Sequence, residues 1–176
     1  MTQYRRASVP GATWFFTVNL AERNGNRLLV DEINTLRTAF RVVQAAHTFR
    51  IEAAVILPDH LHCIWTLPPG DSDFSTRWGL IKRQFSRTIQ KGERLSPSRT
   101  KRGERGLWQR RFWEHLIRDE DDYRRHVDYI HWNPVKHGWV KRVVDWPHSS
   151  FHAHLRRGVY EANWGGEVVT NLETGE

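Results

Sequence analysis

The stretch IEAAVILPDHLHCIWTL, residues 51–67, decides the fold because it contains two apolar runs around one tight turn. Both runs are the length of a strand, and Pro58-Asp59 between them is typical turn chemistry, so we predict an antiparallel hairpin. Side chains two residues apart on a strand point to the same face of a sheet. His60 and His62 therefore share one face, while the leucine between them points into the other.

The hairpin lies in the middle of a regular alternation of predicted elements. Helical spacing of apolar residues and acidic first turns alternate with β-branched and aromatic runs. Strands are predicted at 13–20, 51–57, 60–67 and 111–119, and helices at 31–49, 71–90 and 120–138. This βαββαβ order followed by one more helix predicts an α+β, ferredoxin-like fold, with a four-stranded antiparallel sheet and helices on one face. The other face can be open.

Length and composition predict one compact domain. The chain has 176 residues, of which 39% are hydrophobic and 12% aromatic, enough for a single core. We expect residues 1–155 to form this domain and residues 156–176 to form a C-terminal tail. The only cysteine, Cys63, excludes a disulfide framework and favours a reducing cytoplasm. No apolar run approaches the roughly 20 residues of a membrane span, so we expect no membrane association.

The charge of the chain favours a polyanionic partner. The formal net charge is +7 and the isoelectric point is about 10.1. Residues 91–111 contain eight Lys or Arg against two acids, and they are predicted to form a flexible loop that contacts phosphates. Solubility alone, with a solvated loop, remains the alternative explanation.

The histidine pair has the geometry of a metal site. Two imidazoles on one strand face converge on a single ion, and two His with one further ligand suit a catalytic divalent cation. Two hydrogen-bonded or solvent-facing histidines are an equally good interpretation of this spacing alone. His115, in the fourth predicted strand, is a further candidate for the same side or for a structural role.

The last predicted helix contains a candidate nucleophile. Tyr129 and Asn133 are four residues apart and share a helix face, which suits attack by a phenol on phosphorus beside a metal ion. A tyrosine that packs on the sheet is the alternative. Tyr123, with His126 three residues on, is a rival nucleophile. Pro134 predicts a departure from helical geometry at Asn133.

Four blocks in this order resemble the REP-associated tyrosine transposases: YRRASVPGATWFFTVNL, VILPDHLHCIWTLPPGDSDFSTRW, WQRRFWEHLIRDEDDY and YIHWNPVKHGWV. The resemblance runs from Tyr4 to His154. It implies that His60 and His62 bind Mg²⁺ or Mn²⁺, and that Asn133 stands where related enzymes have a glutamine ligand. It further implies that Tyr129, on a catalytic C-terminal helix, attacks single-stranded DNA to give a 5′-phosphotyrosine and a free 3′-OH.

The resemblance also implies a partner, a REP palindrome folded as a hairpin beside a short tetranucleotide. We expect a monomer or weak dimer that acts at the nucleoid in a bacterial cytoplasm. A metal-dependent nuclease that uses water and a catalytically silent hairpin-binding protein are the competing hypotheses. The predicted DNA-binding residues are Tyr4, Arg5, Arg6, Lys82, Arg83, Arg87, Arg99, Lys101, Arg102, Arg105, Arg110 and Arg111.

Overall fold

A computed structural model describes residues 8–165. The elements are β1 (Thr13–Asn19), α1 (Leu28–Asp31), α2 (Ile33–Ala46), β2 (Arg50–Ile56), β3 (His60–Thr66), α3 (Phe74–Thr88), α4 (Pro97–Lys101), β4 (Trp113–Leu116), α5 (Glu120–Lys136) and α6 (Phe151–Arg156), with a 3₁₀ turn at Val143–Asp145. The predicted α+β fold, with four antiparallel strands and a helix after the last strand, is confirmed.

The sheet has the strand order β2-β3-β1-β4, so the second strand of the hairpin is internal, as expected. Thr17 of β1 lies opposite His62 of β3 on one side and opposite Trp113 of β4 on the other. Directly opposed residues of antiparallel strands share a face. The register therefore places these three side chains in one row across the sheet.

The first face of the sheet forms the larger core, against α2 and α3. Trp65 of β3 stacks on Trp78 of α3 with ring centroids 4.2 Å apart, and Phe16 packs edge-on to Trp78. All three rings are buried. The high tryptophan content of the sequence therefore serves this core to a large extent.

The second face is covered over most of its area, which differs from the open face expected from the sequence. Helix α5 and the segment after it pack on Phe15, Val55 and Ile64. Ile130 of the helix and Trp146 of the segment belong to the same buried cluster. These apolar side chains need a cover because exposing them to water is unfavourable. The face remains accessible towards β1 and β4, where Thr17 is partly buried and Trp113 is exposed.

Helix α5 begins with strong start signals and continues through its proline. The side chain of Asp119 accepts a hydrogen bond from the backbone N–H of Asp122, and the first turn is acidic. Pro134 lies inside the helix, so the predicted departure from helical geometry at Asn133 is wrong. The helix ends only two residues later, and a proline there disturbs little more than the last turn.

Other differences concern loops and ends. The predicted loop 91–111 contains α4, because Ser96 caps a helix that has Pro97 in its first turn. The fourth strand is limited to the four residues of β4. Residues 148–150 pair with the outer edge of β2 through hydrogen bonds to Ile56 and Ala54. Among the described residues, no helix combines the length and apolar character needed to cross a membrane.

The chain after α6 stays in contact with the domain. Tyr160 and Trp164 pack on Phe151, and the Tyr160 hydroxyl donates to Asp128 over 2.6 Å. The predicted boundary at residue 155 remains a prediction, and residues 166–176 of the predicted tail lie outside the described residues.

Candidate active site

The two histidines of β3 are buried and held by different neighbours. His60 Nδ1 lies 2.7 Å from the carboxylate of Asp59, and His62 Nδ1 lies 2.8 Å from the hydroxyl of Thr17. An ionised carboxylate accepts but does not donate, so Nδ1 of His60 carries a proton that points to Asp59. Partners of this kind orient metal-binding histidines in known sites.

Both Nε2 atoms lack a hydrogen-bond partner although they are buried. The two rings are 5.0 Å apart and nearly perpendicular. A buried nitrogen without a partner costs free energy, and folding rarely tolerates two side by side. This donor set suits a divalent cation, because a neutral imidazole offers a lone pair to a metal.

Helix α5 places Tyr129 against this pair, and Asn133 follows one turn later on the same helix. The Tyr129 ring meets His62 edge-on, with centroids 5.2 Å apart. Asn133 is completely buried one turn on, and both its amide oxygen and its amide nitrogen lack a partner. The amide oxygen of Asn19, opposite His60 in the sheet, is likewise buried without a partner. The site thus gathers several unsatisfied polar atoms around the two imidazoles.

Three basic side chains lie between this buried centre and solvent. Lys136 donates to the Tyr129 hydroxyl over 3.3 Å and lies over its ring, and His137 contacts the His60 ring. The guanidinium of Arg23 donates to Asp59 and lies 3.3 Å from His60 Nδ1. All three basic residues are exposed. We call Arg23, Lys136 and His137 the basic cover.

The surroundings of the site determine the charge of His62 and Asp59. Burial, followed by the electrostatic effect of the neighbouring His60, holds the pKa of His62 well below its usual value, so its imidazole is neutral at physiological pH. Burial alone raises the pKa of Asp59, but hydrogen bonds from His60 and Arg23 bring it down to about 2. Asp59 is therefore a permanent anion behind the first histidine.

The rival tyrosine lies elsewhere. Tyr123 is half-buried near Glu52, and burial followed by that carboxylate raises its pKa. Its expected base, His126, instead bonds the backbone carbonyl of Asp122 over 2.8 Å. The described contacts therefore place Tyr129, and not Tyr123, beside the histidine pair.

Comparison with known proteins shows the family of the chain. The chain is 50% identical over 176 residues to the REP-associated tyrosine transposase of Escherichia coli, covering 100% of this chain and 98% of the relative. The chain belongs to the REP-associated tyrosine transposases. It is also 44% identical over 167 residues to a relative from Haemophilus influenzae named for the same family, covering 94% of each. The family resemblance seen in the sequence is confirmed.

The chain also has the same fold as a solved structure. A REP-associated tyrosine transposase bound to a REP hairpin superposes with a TM-score of 0.83 at 50% identity, covering 100% of this chain and 98% of that one. No protein-family model matches the chain.

A second group of described side chains is close enough to hold a metal ion, formed by His115, Asp122 and His126. It differs from the β3 pair because its members already bond one another. His115 Nε2 lies 2.9 Å from one carboxylate oxygen of Asp122, and His126 Nδ1 lies 3.1 Å from the other. The β3 pair, whose nitrogen atoms have no partner, is the stronger metal candidate.

The predicted DNA-binding residues of α3 and the 91–111 segment come together around one groove. Its lining includes Lys82, Arg83, Arg87, Arg99, Arg105 and Arg110. Arg83 and Arg87 are exposed on the helix, whereas Lys82 donates to the backbone carbonyl of Gln109. Outside the groove lining, Lys101, Arg102 and Arg111 are also exposed. The groove forms a basic surface, and its contact with DNA remains a prediction.

Two arginines of this segment serve internal contacts, which differs from a flexible loop. Arg105 pairs with Glu93 and also donates to the carbonyls of Ser86 and Ile89 at the end of α3. Arg99 donates to the carbonyls of Arg105 and Trp108. These bonds fold the segment against the helix. The arm Tyr4, Arg5 and Arg6 lies outside the described residues.

Sequence reasoning missed several side chains of the site. Thr17 and Asn19 come from β1, and Arg23 comes from the turn after it, more than 35 residues before the histidines. Only the pairing register could have revealed them. Lys136 is different, because it lies seven residues after Tyr129 on one helix and helical spacing places both on the same side.

Proposed function

We propose that the chain cleaves and rejoins single-stranded DNA beside a REP-type hairpin, with Tyr129 as the nucleophile. His60, His62 and Asn133 would hold Mg²⁺ or Mn²⁺. Family membership supports a transposase-type reaction on DNA, and the solved relative bound to a REP hairpin supports the hairpin as the partner. The tetranucleotide beside the hairpin belongs to the same proposal.

One observation carries the proposal. The nucleophile candidate meets the His62 ring edge-on, Nε2 of both buried imidazoles has no partner, and an equally unpartnered buried amide lies one helical turn after the tyrosine. Most buried polar side-chain atoms in folded proteins have a hydrogen-bond partner. A site that receives a cation and a phosphate explains why these imidazole and amide atoms are left without partners.

The chemistry follows from the positions of these groups. When bound, the ion polarises a phosphate oxygen and stabilises the negative charge that develops on it. The Tyr129 oxygen forms a bond to phosphorus, the bond from phosphorus to the 3′ oxygen breaks, and that oxygen leaves as a 3′-OH with a proton. The Lys136 ammonium, 3.3 Å from the phenol oxygen, favours negative charge there during attack. The reverse reaction rejoins the strand without ATP, because the phosphotyrosine conserves the bond.

A phosphate reaches this centre through the basic cover. Tyr129 is 1% exposed and His60 is 2% exposed, so the cover has to move before DNA enters. Lys136 and Arg23 have long side chains at the surface, and moving them to pair with an incoming phosphate exchanges one set of polar contacts for another. The cover would thus become part of the phosphate-binding site.

The basic groove beside α3 would hold the hairpin stem through its phosphates. Exposed cations there, including Arg83 and Arg87, would contact phosphates, which carry no sequence information, so this surface would position the stem. Tyr4, Arg5 and Arg6 would read the tetranucleotide. Such a chromosomal substrate would place the protein at the nucleoid of a bacterial cytoplasm, where it would act as a monomer or weak dimer.

The test is a search for the covalent adduct. The full chain is incubated with Mn²⁺ and a labelled single-stranded oligonucleotide that carries a REP-type hairpin, then run on a denaturing gel. Tyr129→Phe should bind the hairpin normally and form no adduct, while the matched control Tyr123→Phe should still form one. Mass spectrometry should find the nucleotide on Tyr129.

Each other outcome would support a different function or a different nucleophile. Cleavage without any adduct would indicate a nuclease that uses water, and binding without cleavage would indicate a silent hairpin-binding protein. A nucleotide on Tyr123 would contradict the assignment of the nucleophile.

A further inference from the structure

An exposed indole stands beside the candidate active site. Trp113 on β4 is 44% exposed, although it lies on the same sheet face as the histidine pair. It is opposite Thr17, which in turn is opposite His62 and bonds it. Two strand spacings separate Trp113 from His62, which is about 10 Å between their Cα atoms. The indole is therefore within the reach of a nucleotide next to the scissile phosphate.

The indole is the outer member of a stack of three rings. Trp113 lies parallel to His115 at 8° with centroids 5.9 Å apart, and His115 stacks on His126 at 4.6 Å. Phe15 supports the stack from the sheet, edge-on to Trp113. A flat aromatic face at the protein surface can stack on a nucleobase, because every base has a π-face.

Asp122 holds the two histidines of this stack in place. Its side chain bonds His115 through one oxygen and lies 3.1 Å from His126 through the other, and it also accepts from the backbone N–H of Arg118. The carboxylate is 4% exposed. The stack is thus rigid before any ligand arrives, and a preorganised surface loses little conformational entropy on binding.

We propose that Trp113 stacks on an unpaired nucleobase of the DNA strand, within about two nucleotides of the phosphate that Tyr129 attacks. This inference rests on the proposed function. The base would become the fourth ring of the stack, while His115, Asp122 and His126 act as its support. An aromatic face accepts every base, so the contact would position the strand without selecting its sequence.

The experiment is a double-mutant cycle between protein and DNA. Single abasic nucleotides are placed at successive positions on both sides of the cleavage site, and cleavage efficiency is measured for wild type and Trp113→Ala. One abasic position should reduce wild-type cleavage by about five- to 150-fold, the range expected for the loss of one stacked base. In Trp113→Ala the same abasic nucleotide should reduce cleavage efficiency by less than about twofold, because the indole that stacks on the base is already absent.

Two further variants separate stacking from structure. Trp113→Phe keeps an aromatic face and should recover most of the efficiency and the sensitivity to the lesion. Trp139→Ala removes an indole that is equally exposed, 44%, but lies over Arg27 instead of the three-ring stack. It should respond to each abasic position as wild type does.

The outcomes distinguish this inference from the function on which it rests. Wild type that forms no adduct on any substrate refutes the proposed function itself. Wild type that forms the adduct, with lesion and Trp113→Ala penalties that multiply at every position, refutes the stacking site alone. Equal loss of coupling in Trp139→Ala would also overturn it.

Discussion

Replacing Thr17 by valine should weaken the metal site without touching a metal ligand. The hydroxyl of Thr17 lies 2.8 Å from Nδ1 of His62, and it is the partner that leaves Nε2 of the same ring available. Valine has nearly the same shape and no hydroxyl. The substitution therefore leaves a buried Nδ1 without a partner and lets the imidazole turn.

The magnitude follows from the bond that is lost. An unsatisfied buried polar atom costs about 1–3 kcal/mol, and loss of the outer partner of a metal-binding histidine typically lowers metal affinity by about 10- to 100-fold. The two ranges agree, because about 1.4 kcal/mol corresponds to a factor of ten. We expect the Mn²⁺ concentration for half-maximal adduct formation to rise by this factor, with little change in rate at saturating metal.

The assay titrates Mn²⁺ in the adduct reaction and measures hairpin affinity separately in EDTA, where Thr17→Val should match wild type. Thr13→Val is the matched control on the same strand, since it breaks a comparable 2.8 Å bond to Thr66 far from the histidines. Thr17→Ser should restore the metal dependence. An unchanged half-maximal concentration in Thr17→Val, or an equal shift in Thr13→Val, would refute this reasoning.

Three other results are expected. His60→Ala, or EDTA with wild type, should abolish cleavage and spare hairpin binding; undiminished cleavage in EDTA would exclude the metal. Neutralising the exposed Lys101 and Arg102 together should make the slope of log affinity against log salt shallower by up to about one unit for each lost phosphate contact, and an unchanged slope would mean that neither contacts DNA. Burial lowers the pKa of His131 from 6.5 to about 3, so the unfolded chain binds the extra proton between these values and stability falls as pH drops below 6.5. Urea unfolding measures the free energy of unfolding at pH 7 and at pH 5. Its decrease between the two pH values should be smaller for His131→Gln than for wild type, by at most about 1.4 kcal/mol per pH unit. Equal decreases in the two proteins would contradict this.

The sequence alone determined the features that depend on short spacing. The 51–67 hairpin follows from two apolar runs around Pro58-Asp59, and the strand period of two places His60 and His62 on one face whatever surrounds them. The helical period likewise aligns Tyr129 with Asn133. These relations involve neighbours in the chain, so local periodicity is enough to predict them.

Only the tertiary structure decided what those residues can do. Thr17 and Asp59 set which imidazole nitrogens remain available, and the pairing of β1 with β4 brings Trp113 into the same row as His62. Helix α5 also continues through Asn133 to Lys136, although Pro134 was expected to disturb it. The partners concerned lie up to about one hundred residues apart in sequence. Strand register determines whether they meet, and local periodicity does not predict that register.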